Sequence, residues 1–492
     1  MPPSGKSLFW QKVTIVERKR MRKLALSDEI LMKVDKAARY IGGEVNSVMK
    51  DKNAVDIRFA MCFPDVYEIG MSNLGMMILY NMFNQREDVW CERLFSPWPD
   101  LDKVMREEKI PLFALESQEP IRDFDFLGIT IGYEMCYTNI LQVLDLSGIP
   151  LKSADRGEDF PIVIGGGACA YNPEPLAPFF DMFYIGEGET VYDALFDAYK
   201  ANKKAGGSRR DFLLAAAKIP GIYVPSLYEV TYKEDGTIAS FVPTADGVPE
   251  KVQKQLIIDM EKEYRAVEAP VVPHIKATQD RVTLEIQRGC IRGCRFCQAG
   301  MIYRPTRERD VETLKESART MLKNTGHEEI SLSSLSSSDY SQLKELVNFL
   351  IEEFHGKAVN ISLPSLRIDA FALDVMSKVQ DVKKSSLTFA PEAGSQRLRD
   401  VINKGLTEEV ILHGAGEAFK GGWNQVKLYF MLGLPTETED DMKGIAHLAQ
   451  KIAETYYEVV PKEQRKGKVQ INVSTSFFVP KPFTPFQWAP MY

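Results

Sequence analysis

Three cysteines crowd one short run, Arg288-Gly289-Cys290-Ile291-Arg292-Gly293-Cys294-Arg295-Phe296-Cys297. The spacing is C-x3-C-x2-C, and it directly follows the apolar stretch from Val282 to Gln287. Three thiolates on one loop can hold three irons of a four-iron, four-sulfur cluster, leaving the fourth iron open to a small ligand. Gly289 and Gly293 allow the backbone to wrap closely. Arg292 and Arg295 can offset the negative charge of such a cluster. A structural zinc ion would want a fourth protein ligand. None lies in the loop, and the nearest candidate is His274. The other four cysteines, Cys62, Cys91, Cys136 and Cys169, are scattered; seven in 492 residues exclude a disulfide scaffold.

A loop of this kind needs a rigid strand to launch it. From residue 281 onward, strands and helices are expected to alternate, with strands at Val282 to Gln287, Glu329 to Ser333, Ala358 to Leu363, Ser386 to Ala390, Gln425 to Met431 and Lys468 to Phe477. The first intervening helix has Asp310 as N-cap, an apolar face of Val311, Leu314, Ala318, Met321 and Leu322, and Gly326 just past its end. Six such units suit a partial (β/α)6, TIM-like barrel, whose active site collects at the carboxyl ends of the strands.

The first half is also α/β. Short apolar runs at Val55 to Phe63, Pro111 to Leu115, Phe126 to Ile131, Pro161 to Ile164 and Met182 to Ile185 read as buried parallel strands. Most are separated by helix-like stretches, and several end in glycine turns: Gly132, Gly165-Gly166-Gly167 and Gly186-Glu187-Gly188. This predicts a doubly wound, Rossmann-like sheet that binds ligands where those turns lie. The expected organisation is a helical segment over 1–53, the doubly wound domain over 54–225, a hairpin and linker over 226–280, and the barrel over 281–492. The basic run Arg18 to Lys23 reads as a solvated helix face rather than an RNA contact.

With these residues in view, the chain resembles the radical S-adenosylmethionine (SAM) superfamily, whose hallmark C-x3-C-x-aromatic-C is met by Cys290, Cys294, Phe296 and Cys297. The resemblance implies that the three cysteines are the catalytic metal ligands and that SAM chelates the fourth iron. One electron would then split SAM to a 5'-deoxyadenosyl radical. It also assigns strand-end loops to SAM. The hydroxyl-rich loop with Ser333, Ser334 and Ser336 stands where the amino group is held, although the usual Gly-Gly-Glu is absent. Arg367 would pair with the carboxylate. Glu392, in Pro391-Glu392-Ala393-Gly394-Ser395, would touch the ribose or amino group. Gly433 and Leu434, in Leu432-Gly433-Leu434-Pro435-Thr436-Glu437-Thr438, would shape the adenine pocket. Pro480-Lys481-Pro482-Phe483-Thr484-Pro485 is similar to a segment of methylthiotransferase-like members. Arg304 and Arg307 are candidates for SAM, for an anionic substrate, or for a salt bridge where the next helix begins.

The N-terminal half, through Gly165, Gly166 and Gly186, resembles the cobalamin-binding-type domains fused to many radical SAM enzymes. All five histidines lie at or after His274, and Ala168 stands near the usual histidine position. Cobalamin would therefore bind without imidazole ligation, with apolar or aromatic groups shielding its lower face, or the domain would serve as a substrate or docking module. The whole chain looks most like cobalamin-binding-domain/radical SAM fusion proteins. The expected activity is methyl or methylthio transfer or a related radical modification, with RNA slightly favoured as substrate. The alternatives are a non-catalytic sensor or scaffold controlled by cluster or cobalamin occupancy, and a zinc-stabilised RNA-binding module. A flavodoxin- or ferredoxin-like electron donor is expected, as is a further C-terminal domain or separate partner chain. The net charge of -7 argues against a globally basic nucleic-acid binder. The lack of a long apolar window or an apolar N-terminal core gives a cytoplasmic expectation, with no membrane partner.

Overall fold

The computed structural model describes residues 23–357, 359–362, 387–465 and 467–491. Six strands form the first sheet: β1 (Ile57–Phe63), β2 (Val89–Phe95), β3 (Phe126–Thr130), β4 (Ile162–Gly166), β5 (Met182–Tyr184) and β6 (Ile222–Tyr223). Their order is β2-β1-β3-β4-β5-β6, parallel except for the last pair. The strand order reverses at β1, so the sheet grows in both directions, as a doubly wound fold requires.

Helices cover both faces. Helix α1 (Leu74–Gln85) joins α4 (Tyr192–Lys204) and α5 (Arg209–Ala216) over one core, which takes Ile57, Phe59, Met61 and Phe63 from β1. Helices α2 (Pro99–Glu108) and α3 (Tyr137–Leu146) cover the other, which takes Ala60 and Cys62. Because successive side chains point to opposite faces, a strand covered on both sides must be buried throughout.

The hairpin β7 (Tyr228–Tyr232) and β8 (Ile238–Pro243) forms where the sequence places it around Asp235-Gly236. The stretch read as a linker is packed rather than free. Ile257 is buried, Val267, Val271 and Ala277 join the first core, and Gln255 pairs with Gly186. Residues 23–53 also depart from the helical expectation. They hold only a four-residue helix, Asp28–Leu31, and a single 3-10 turn, Ala37–Arg39, with Leu26, Val34 and Tyr40 in the second core and Glu44 buried. The basic run lies outside the described residues except for Lys23.

The second half contributes β9 (Val282–Glu285), a small antiparallel pair of β10 (Gln287–Arg288) and β11 (Arg307–Glu308), β12 (Glu329–Ser333), β13 (Asn360–Ser362), β14 (Leu387–Glu392), β15 (Gln425–Leu432) and β16 (Gln470–Phe477). Among the described residues the larger strands form two parallel three-stranded sheets, β13-β12-β9 and β14-β15-β16. Helices α6 (Val311–Thr325) and α7 (Leu343–Phe354) pack on the first; α8 (Glu408–Lys420) and α9 (Glu439–Val459) pack on the second. Helix α6 has the expected ends: Asp310 accepts from the amides of Glu312 and Thr313, and Gly326 closes the helix with φ 72°.

Candidate functional site

A cavity of about 510 Å³ lies where the two halves meet. Carboxyl ends of the first sheet supply one wall through Thr130, Gly132, Gly166, Gly167, Ala168, Gly186 and Gly188; Glu285, Arg288, Gly289, Ser333 and Ser334 supply the other. Strand ends of both halves thus open onto one space. Gly132 and Gly166 have nothing within 4 Å of an added Cβ, so a side chain at either would project into the cavity. Gly165 is different. It lies beneath the surface against Phe183 and Ile131, where a Cβ would collide at 2.8–2.9 Å, so its smallness serves packing. Gly186 has φ 139°, and a Cβ there would meet the Gln255 carbonyl oxygen at 2.1 Å; glycine admits the returning chain.

An ion-pair network joins the walls. Arg307 donates to both oxygens of Glu187 at 2.8 Å, across 120 positions of sequence. Arg288 pairs with Glu187, Glu189 and Glu285 at 3.2, 2.6 and 3.0 Å. All five side chains are largely buried. Burial works to raise the Glu187 pKa, but the Arg307 hydrogen bonds and the charges of Arg288 and Arg307 outweigh it. The carboxyl is held below its ordinary value. Arg307 is therefore a tie between the halves, not a ligand-facing cation, and its partner, 120 positions away, leaves no local signal in the sequence.

The cysteine loop leaves β10 beside this network. Gly289 and Gly293 both take positive φ, 84° and 87°. A Cβ on Gly289 would meet the carbonyls of Pro305 and Tyr303 at 2.6 and 2.8 Å, so the loop lies flat on the 303–306 turn. Arg292 pairs with Asp339. Arg295 sends its amide to the Ile402 carbonyl at 3.0 Å and its guanidinium to the Val401 carbonyl at 2.5 Å. Asn403 donates to the Gly293 carbonyl at 2.9 Å. Cys290, Cys294 and Cys297 are partly exposed, whereas the four scattered cysteines are buried. Burial, helped by the neighbouring Cys136, lifts the Cys62 thiol far above its ordinary range, which removes it from thiolate chemistry.

Phe296 packs with Leu434, Ala393, Leu398, Ile402 and Phe478. Lys404 lies 5.9 Å above its ring and pairs with Glu392 at 3.1 Å. The cysteine loop is thereby joined to the ends of β14 and β15, which carry Glu392 (φ 67°) and Gly433 (φ 80°). The Gly433 amide donates to Glu437. Ser333 and Ser334 line the cavity, while Ser336 is buried with its carbonyl accepting from Gln287 at 2.7 Å. Arg367 lies outside the described residues. The Pro-Lys-Pro segment straps the halves together: Lys481 pairs with Glu134 at 2.5 Å, and Phe483 meets Tyr171 edge-on.

Among the described residues, no three His, Cys, Asp or Glu side chains converge on a single-ion site. A zinc ion draws its ligands to one point, whereas a four-iron cluster gives each cysteine its own iron. Three partly exposed thiols on one loop are the kind of donor set a four-iron cluster takes, one iron to each.

Residues 75–225 match the family described as radical SAM proteins, N-terminal, and residues 284–449 match the radical SAM superfamily. An uncharacterised protein of Methanocaldococcus jannaschii is 30% identical over 429 residues, covering 87% of this chain and 78% of that protein. The chain belongs to the radical SAM superfamily. It is an enzyme, then, of a superfamily whose cofactors are SAM and a four-iron, four-sulfur cluster, and the non-catalytic readings fall away. A putative methylthiotransferase of the same organism is 28% identical over 211 residues, 40% of this chain and 46% of that one. An uncharacterised methyltransferase of Pyrococcus horikoshii is 22% identical, covering 67% and 65%. Among solved structures, the radical SAM methyltransferase TsrM from Kitasatospora setae, with cobalamin and cluster bound, gives a TM-score of 0.53 at 13% identity, over 88% of this chain and 74% of that one. The cobalamin-dependent SAM radical enzyme OxsB gives 0.55 at 15%, over 87% and 60%. These likenesses are likenesses of fold. Among the described residues, no helix is long and apolar enough to cross a membrane.

Proposed function

We propose that this enzyme is a cobalamin-assisted radical SAM transferase of methyl or methylthio groups, working in the cleft between its two halves. The observation that carries this reading is the shared cavity, walled on one side by glycine-ended strands and on the other by the strand ends around the cysteine loop. When bound and reduced, a four-iron cluster supplies the electron that splits SAM into methionine and a 5'-deoxyadenosyl radical. Cys290, Cys294 and Cys297 would hold three of its irons. Phe296, wedged against Leu434 and Phe478, keeps water from one side of that loop. Ser333 and Ser334 offer hydroxyls at the cleft wall for the SAM amino group, and Glu392, paired with Lys404, would serve the same group or the ribose. Gly433 leaves room for the adenine. Gly132 and Gly166 form a cradle for a corrinoid, over a floor including Ile78, Leu79 and Tyr192. This half contains no histidine, so the cradle would hold cobalamin by its faces and edges.

The substrate meets a polar lumen. On β15 and β16, Lys427 and Tyr429 stand in register with Asn472 and Ser474, on the face opposite the buried Val426 and Leu428. That face suits a hydrogen-bonding substrate, a nucleotide included. In the Pro-Lys-Pro segment, whose resemblance favoured RNA, Lys481 is paired with Glu134.

The test is metal content and product analysis on protein purified without oxygen from cells supplied with cobalamin. About four irons per chain, near-stoichiometric cobalt and 5'-deoxyadenosine formation under strong reductant are expected. Cys290→Ala should abolish both iron and product. Iron without cobalt would leave the radical enzyme and remove cobalamin. A Cys290→Ala protein that still forms 5'-deoxyadenosine would overturn the cysteine assignment.

A further inference from the structure

The sheet of β14, β15 and β16 has one face packed under α8 and α9. Val426, Leu428 and Phe430 of β15 enter that core. Lys427, Tyr429 and Met431 therefore lie on the opposite face. Met431 packs with Phe296 of the cysteine loop, so this face leads up to the loop. In the register of the sheet, Lys427 lies between Thr388 of β14 and Asn472 of β16. With about 3.3 Å of rise per residue, Tyr429 stands about 7 Å before Met431 along the strand, and Lys427 about 13 Å before it.

The Lys427 ammonium is 4.8 Å from the centre of the Tyr429 ring. That contact holds a partly buried cation in one place on the face. No carboxylate meets Lys427 among the described residues. Strands β15 and β16 hold no acidic residue, and the one on β14, Glu392, is paired with Lys404 at 3.1 Å. The neighbours of Lys427 are neutral donors instead. Asn472 accepts from Gln470 through its amide oxygen at 3.4 Å, which leaves its amide nitrogen to donate. Thr388 and Tyr429 are exposed and add two hydroxyls. A fixed ammonium beside neutral donors, with no protein counter-charge, has the chemistry of an oxyanion site.

We propose that this face anchors a single oxyanion of the substrate, a carboxylate or a phosphate, on Lys427, with Thr388, Tyr429 and Asn472 donating to its oxygens. The proposal deepens the function proposed above and rests on it for the role of the cysteine loop. The substrate is then a small molecule with one terminal anion, and its reacting carbon is held on the Met431 side, about 7–13 Å along the strand from the anchor. A nucleic-acid strand would ask for a row of cations along its phosphates. Lys427 is the one lysine or arginine on these three strands.

The test reads the lysine itself. Anaerobically reconstituted protein is treated with acetic anhydride, and acetylation of Lys427 is followed by peptide mass spectrometry with inorganic phosphate or propionate present. Bound anion should slow it, by about tenfold once the anion stands about tenfold above its Kd. Lys443, exposed on α9, is the control and should react at one rate throughout. Asn472→Leu should weaken the protecting anion by about two- to tenfold, the worth of one hydrogen bond, at wild-type iron content. Protection by phosphate alone assigns a phosphate, by propionate alone a carboxylate, and by both an oxyanion of either kind. A Lys427 that reacts equally with and without both anions, or that never reacts because protein covers it, would overturn the anchor. Protection by a single-stranded oligoribonucleotide at concentrations where neither anion acts would overturn the small molecule. The labelling needs neither cobalt nor turnover. Loss of 5'-deoxyadenosine formation in the wild type would therefore fail the function proposed above, while the labelling still decides the anchor.

Discussion

The two halves use parallel strands in opposite ways. In the first sheet, all seven residues of β1 and all seven of β2 are buried. Helices cover both faces, so even the charged residues of these strands lie inside. In the second half, among the described residues, the helices that pack on β15 cover one face. Val426, Leu428 and Phe430 of β15 are buried beneath α8 and α9, while Lys427 and Tyr429 on the other face are not. The lesson is a division of labour. The first sheet is a packed slab whose chemistry is confined to its glycine-ended edge, whereas the second half leaves a whole strand face open to a ligand.

That contrast is tested most severely at Arg93. Its side chain is fully buried on β2, donating to Glu44 at 2.7 Å and Glu116 at 2.6 Å. Tyr67 and Tyr80 donate to the same two carboxylates. Removing one partner strands the others without water, which costs about 3–5 kcal/mol for buried pairs. Arg93→Met should lower the free energy of unfolding by that amount, read from chemical denaturation. A loss below about 1 kcal/mol would mean that water reaches the slab interior, and the contrast would fail.

The same residue explains part of what the sequence hid. The run Val89 to Phe95 carries Glu92 and Arg93, so apolar periodicity passes over it, yet it is a full strand because each charge finds a buried partner. Pro111 to Leu115 has the opposite fate. It is apolar enough for a strand, but it forms only an isolated pairing of Phe113 with Pro120. In the second half the strands were legible because turns and glycines punctuate them and burial alternates. At the site, the cysteines were legible from spacing alone. The Glu187, Arg288 and Arg307 network was not, because charges brought together from over a hundred positions apart leave no local periodicity.

This network gives the next prediction, since it sits on the border between slab and open half. Glu187 has a lowered pKa in the folded state. Its contribution is complete above the unfolded carboxylate value of about 4.3 and is lost as pH falls through the lower folded value. Glu187→Gln should cost about 1–3 kcal/mol at neutral pH, as lost charge-assisted hydrogen bonds do. It should also flatten the fall in stability on acidification between about pH 5 and 3. Equal acid sensitivity in both proteins would remove Glu187 as the tie.

A smaller effect on stability is expected at the slab's edge. Gly166→Leu places a side chain in open cavity space rather than in packed core, because nothing lies within 4 Å of its Cβ. Its stability should shift by about 0.5–1 kcal/mol, the scale of a lost or gained glycine. Cobalamin retention, read from the absorption spectrum, should fall sharply. A variant that unfolds would show that this glycine packs like Gly165; a variant that keeps its cobalt would show that the corrinoid does not use the cradle.

The smallest change belongs to the open face. Ser474 stands beside Tyr429 in the register of β15 and β16, and it is only partly buried. Surface-like positions shift stability by about ±0.5 kcal/mol or less. Ser474→Ala should therefore unfold with the wild type, whereas Phe59→Ala in the slab should cost about 3–5 kcal/mol. Phe59 is fully buried and touches Phe83, Phe126, Tyr192 and Phe196, so its loss leaves a cavity that four rings cannot fill. If Ser474→Ala instead cost more than about 1 kcal/mol, its hydroxyl would be a satisfied buried group. That face of β15 and β16 would then be a second packed interior, and the ligand would have to be sought only in the cleft between the halves.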